Sequence, residues 1–113
     1  MTDEEVLRAV CCLAGAESDV TVEELQLLSG LARRVGIERK PFESLMEKAK
    51  DKDFRQQQID FVTSDVDGSM NTLIRIARQE GSLQEGHVVM LLWRVAMKLQ
   101  MSPERFEELL AVA

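Results

Sequence analysis

Five carboxylates could do chemistry together: Asp19, Glu23 and Glu24 in one stretch of the chain, Glu80 and Glu85 in another. Carboxylates brought close repel one another unless a cation or a basic partner neutralises them. An all-oxygen set suits a hard divalent ion, Ca2+ or Mg2+, better than a softer metal. The same residues have a plainer reading. Thr21 with Glu24 and Ser82 with Glu85 each spell the S/T-x-x-E capping box, and acids near helix starts also meet the positive end of the helix dipole. Capping accounts for Glu24 and Glu85, which leaves Asp19 and Glu80 as the sharper functional clue.

No catalytic constellation accompanies these acids. His87 is the only histidine, and the chain has no G-x-S-x-G, no H-E-x-x-H and no Cys/His pairing that would activate a nucleophile, so no enzyme is expected. Asp65-Val66-Asp67-Gly68 resembles the opening of a calcium loop. An EF-hand needs a glutamate at its twelfth position, where this chain has Ile76, so these acids are expected to begin a helix instead. Cys11 and Cys12 are adjacent, and on a helix they point about 100° apart, a poor geometry for bridging each other. They read as reduced, packed thiols, with a soft-metal or metalloid site as the alternative reading. Trp93, Met90 and Met97 read as core.

The elements that must position these groups are helical. Thr2 with Glu5 is a further capping box, and Val6, Leu7, Val10, Cys11, Leu13 and Ala14 recur at helical spacing, which predicts a helix over 3–15. Thr21 begins a second, lined by Leu25, Leu28, Leu31, Ala32 and Val35 and stopped by Gly36. Pro41 sits in the first turn of a third, with Phe42, Leu45, Met46 and Ala49. Residues 54–63 form a fourth, and a fifth carries Met70, Leu73, Ile74, Ile76 and Ala77 and ends near Gly81. Ser82 is expected to cap a sixth, whose run Val88 to Trp93 is apolar nearly all round and therefore belongs at the centre. Ser102 and Pro103 start a last helix with Phe106, Leu109 and Leu110. No segment alternates like a strand, so residues 1–113 read as one all-α domain of six to seven helices.

The chain also repeats itself. An offset of 61 matches Ala16 with Ala77, Asp19 with Glu80, Thr21 with Ser82, Val22 with Leu83 and Glu24 with Glu85. A three-residue lengthening of the later helix then shifts the offset to 64, matching Val35 with Leu99, Ile37 with Met101, Phe42 with Phe106 and Leu45 with Leu109. Each half thus reads as helix, acidic loop, capped helix, short loop, helix, with the two halves expected around the central apolar helix.

Three segments, Ala16–Glu24, Leu31–Ile37 and Ile76–Glu85, resemble the TerB-like family, which includes tellurite-resistance TerB and the N-terminal region of DjlA-type membrane-tethered J-proteins. Members show A-x-x-D-G before the capped helix and a glutamate just inside it. Here the first copy has Asp19 followed by Val20, and the second has Glu80 followed by Gly81. The resemblance implies a non-enzymatic stress-response module that binds a divalent cation, a protein partner or both through an acidic face, with Asp19, Glu23, Glu24, Glu80 and Glu85 as the candidate ligands.

Charge bounds the partners. A net charge of −6 and a pI near 4.8 disfavour nucleic acid and anionic membrane surfaces and favour cations or a protein with a basic surface. The start Met1-Thr2-Asp3-Glu4-Glu5 has no positive, apolar leader character, and no apolar run is long enough to span a bilayer, so a cytoplasmic location is expected. Two alternatives stay open. One is a metal-free adaptor. The other is a helix-turn-helix regulator over Glu23 to the helix at Pro41, although Lys40, Lys48 and Lys50 there are balanced by Glu43, Glu47 and Asp51. An exposed Met or Leu patch would point to a homodimer.

Overall fold

Local sequence grammar sets most helix ends in the computed structural model, which describes residues 2–15, 21–79, 81 and 85–112. The helices are α1 Asp3–Gly15, α2 Val22–Arg34, α3 Arg39–Lys48, α4 Lys52–Thr63, α5 Val66–Gln79, α6 Gly86–Lys98 and α7 Pro103–Val112, with no strand among the described residues. Thr2 and Glu5 close the capping box of α1 in both directions, at 3.2 and 2.9 Å. The Asp51 side chain accepts from the Asp53 and Phe54 amides to start α4. The Ser102 hydroxyl accepts from the Arg105 amide to start α7.

The helix at the centre is α1, not α6. Val6, Leu7, Ala9, Val10, Cys11, Cys12, Leu13 and Ala14 are all buried. At 100° per residue they cover nearly the whole circumference, leaving water the strip of Glu4 and Arg8, which pair at 3.1 Å. α1 packs against α2, α3, α4, α5 and α6, most extensively against α4. The apolar run of α6 is not enclosed in the same way: Met90 is 56% exposed, and Val89 and Trp93 are half-buried. Apolar residues all round a helix allow central burial but do not by themselves supply neighbours on every side.

Helix bounds also correct the register of the repeat. α2 and α6 are both 13 residues long, and α3 and α7 are both 10, so the later helix is not lengthened. Val22 to Gly86 and Lys48 to Val112 are both steps of 64, as is Gly15 to Gln79. Buried residues follow the same register, with Val6 matching Met70, Val10 matching Ile74, Leu28 matching Leu92, Ala32 matching Ala96, Phe42 matching Phe106 and Leu45 matching Leu109. In this register Thr21 corresponds to Glu85, Asp19 to Leu83 and Glu24 to Val88. Cys11 of α1, buried, corresponds to Arg75 of α5, exposed.

α2 and α6 end alike. The Ile37 amide donates to the Ala32 carbonyl at 2.8 Å and the Met101 amide to the Ala96 carbonyl at 3.0 Å, the backbone pairing of a Schellman motif. The residue in the left-handed conformation is Gly36 at φ 99° in one and Gln100 at φ 63° in the other. Glycine adopts this conformation without steric penalty, whereas a side chain there costs about 1 kcal/mol. Gln100→Gly should therefore raise the midpoint of urea unfolding, by about 0.5–1 kcal/mol in stability. Gly36→Ala should lower it by about 1 kcal/mol through backbone strain alone, because an added Cβ meets no neighbour within 4 Å.

Candidate functional site

The acidic start of α2 is built around Glu24. Thr21, extended at φ −81° and ψ 164°, caps the helix, and its hydroxyl accepts from the Glu24 amide at 3.1 Å. Glu24 Oε1 accepts in return from the Thr21 amide at 3.4 Å and from the Thr21 hydroxyl at 3.2 Å. The capping box folds the carboxylate back over the helix end and into the protein, so that Glu24 is 8% exposed. Arg94 of α6 reaches the same Oε1 at 3.5 Å. Oε2 is enclosed and has no hydrogen-bond partner among the described residues.

The other candidate ligands are distributed differently. Glu23 is exposed in the first turn of α2. Asp19 and Glu80 lie outside the described residues. Glu85 does not occupy the third position of a capped helix; it is itself the N-cap residue of α6, at φ −93° and ψ 124°, and its side chain caps nothing. A helix begun at Ser82 would carry Gly86 in its interior at a cost of about 1 kcal/mol relative to alanine. Glu85 instead pairs with His87 at 3.2 Å, both exposed. Arg94, which meets Glu24, is nine residues beyond Glu85, roughly 13 Å along the helix axis. Glu24 and Glu85 thus sit against different parts of α6. Among the described residues, no three His, Cys, Asp or Glu side chains come together as a metal-holding group.

Asp65 and Asp67 are occupied structurally. Asp65 Oδ1 accepts from the Gly68 amide at 2.9 Å and so caps α5, and a side chain at position 68 would collide with that carboxylate. Asp67 pairs with Arg105 at 2.8 Å and ties α5 to α7. On α3, Arg39 pairs with Glu43 and Lys50, just past its end, pairs with Glu47, both at 3.1 Å, so two of the basic groups on this segment already have acidic partners.

One surface was read from the sequence as interior. Val89, Met90, Trp93, Phe106 and Leu110 line an apolar groove of about 270 Å3 between α6 and α7, with Glu107 in its wall. Trp93 meets Phe106 edge-on, with ring centroids 5.6 Å apart and planes at 71°. The signal for this surface was present in the repeat: in the constant register, Met90, Trp93 and Met97 stand where α2 has Gln26, Ser29 and Arg33.

Comparison with protein-family models, with curated proteins and with solved structures finds no significant match.

Cys11 and Cys12 are free and fully buried. Burial pushes the Cys11 thiol up to about 12, with the neighbouring Cys12 adding to it, and burial pushes Cys12 up to about 11. Such thiols are poor nucleophiles and poor metal ligands, and they act as small apolar side chains. A thiol reagent at pH 8 should therefore leave both unmodified in the folded protein and label both in urea. The unfolded chain loses these protons near pH 9 while the folded chain holds them, so the unfolded state binds fewer protons above that pH. Stability should fall from about pH 9 through 11–12, by at most about 1.4 kcal/mol per pH unit for each thiol. Cys11→Ala/Cys12→Ala should flatten that slope in urea titrations.

Proposed function

We propose that the chain is a non-enzymatic binding module of the TerB-like, tellurite-resistance type, acting in the cytoplasm in a stress-response setting. Its acidic site at the start of α2 takes up a divalent cation, Ca2+ or Mg2+, or the basic side chain of a protein partner. The observation that carries this reading is Glu24 Oε2, enclosed and without a hydrogen-bond partner among the described residues. A buried acceptor left unsatisfied costs about 1–3 kcal/mol, more when charged. A metal ion or a guanidinium would supply the missing interaction.

The family reading draws support from the all-helical architecture of the described residues, α1 to α7. In the metal-free adaptor variant, a partner's lysine or arginine takes the place of the cation at Oε2. The helix-turn-helix alternative gains nothing from α3, where Arg39 is matched by Glu43 and Lys50 by Glu47. No helix among the described residues is long and apolar enough to cross a membrane.

Calorimetric titration of Ca2+, Mg2+ and Mn2+ tests the cation. The parent should bind one equivalent, and Glu24→Gln, which can still complete the capping box, should weaken binding about tenfold or more. Asp19→Asn and Glu80→Gln should weaken it as well. No heat from the parent at millimolar cation would overturn the cation reading. A lysine-rich peptide that still bound in a Glu24-dependent way would leave the adaptor standing.

A further inference from the structure

The groove between α6 and α7 is lined by no residue of α2, and the inference drawn from it stands whether or not Glu24 holds a cation. We propose that this groove docks a short amphipathic helix of a partner protein, one whose apolar stripe is flanked by lysine or arginine. Three observations carry the proposal.

The first is that the corresponding surface of the other half is polar. α2 and α6 are equal in length and buried at matching positions, yet the outward strip of α2 is Gln26, Ser29 and Arg33 while that of α6 is Met90, Trp93 and Met97. The core-facing residues of both helices are apolar apart from Glu24, which stands where α6 has Val88, so beyond the helix starts the difference lies in the outward strip. A large aromatic and two methionines at such positions leave apolar area in water, and unbranched methionine adapts well to the side chains of a docked helix.

The second is shape. Val89, Met90 and Trp93 form one wall and Phe106 and Leu110 the other, with the Trp93 ring held edge-on by Phe106. An apolar groove lined from two helices suits the i, i+3/i+4, i+7 anchors of a docked helix.

The third is charge, which selects the occupant. The wall contributed by α7 carries Glu107, and the exposed residues of α7 include Glu104 and Glu108, the latter paired with Arg105. With a net charge of −6, the surroundings favour a basic flank on the incoming helix. A second copy of this chain is the less suited occupant, because it would bring a like net charge of −6 to a groove whose wall holds Glu107.

The probe is a fluorescently labelled amphipathic helical peptide of leucine and lysine, compared with a scrambled peptide of the same composition and with its leucine/glutamate counterpart. Trp93 is the only tryptophan and reports occupancy directly. The leucine/lysine peptide should bind with a blue shift of Trp93 emission, and the other two should bind about tenfold more weakly or not at all. Met90→Gln/Trp93→Ser, which installs the polar residues of α2, should weaken binding about tenfold or more in fluorescence anisotropy. Glu107→Lys, an exposed change that spares the fold, should weaken the lysine peptide and strengthen the glutamate peptide. Equal affinity for all three peptides, or indifference to Glu107→Lys, would overturn the proposal. So would a concentration-dependent shift of Trp93 emission accompanied by dimerisation in sedimentation, which would make a second copy the occupant.

Discussion

The burial of α1 sets the terms on which the other helices pack. A helix covered on nearly every side needs small residues where its neighbours come closest, and Ala9, Cys11, Cys12 and Ala14 provide them. The close seam with α4 depends on that economy of volume, because extra methylenes in a packed core force side chains and backbone to shift. With α2, α3, α4 and α5 gathered around α1, the last two helices stand further out. α6 leans on α5 and α2 and less on α1, α7 leans on α5 and α6, and the outer strip of α6 is left partly facing water. The apolar groove is thus a consequence of which helix holds the centre.

Arginines join the outer elements to this arrangement. Arg75 meets Asp3 at 2.6 Å and holds the start of α1 against α5. Arg78 donates to the Leu110 carbonyl at 3.0 Å near the end of α7, and Arg105 bridges Asp67 and Glu108. These groups are largely exposed, and such pairs fix orientation more than they add stability. Glu24 differs because its carboxylate is enclosed, so the environment of each oxygen carries an energetic consequence that a surface acid would not feel.

Much of the fold was legible because helix starts and stops are local. The capping pairs Thr2/Glu5 and Thr21/Glu24, the stop at Gly36 and the Ser102-Pro103 start all depend on residues within a turn of one another. What was not legible depends on neighbours distant in sequence. The Ser82/Glu85 pattern satisfies the same four-residue grammar as Thr21/Glu24, yet α6 begins at Gly86, in the register fixed by buried pairs such as Val10 with Ile74. The apolar run Val88 to Trp93 indicated hydrophobicity on every face but not which faces would be covered. At the candidate site, the sequence identified Glu24 as a capping residue. That one of its oxygens would be enclosed without a partner among the described residues depends on the packing of α6, whose Arg94 meets the other oxygen, and no local pattern encodes it.

The shared register has a further meaning at the position where α1 and α5 differ most. Cys11 is buried in α1, whereas Arg75, its counterpart in α5, is exposed and meets Asp3. A guanidinium cannot be enclosed as a thiol can without a large desolvation cost, so exchanging the places of the two helices would bury Arg75 and expose Cys11. One position thus makes the two related halves non-interchangeable, and a repeated sequence keeps its copies in separate roles.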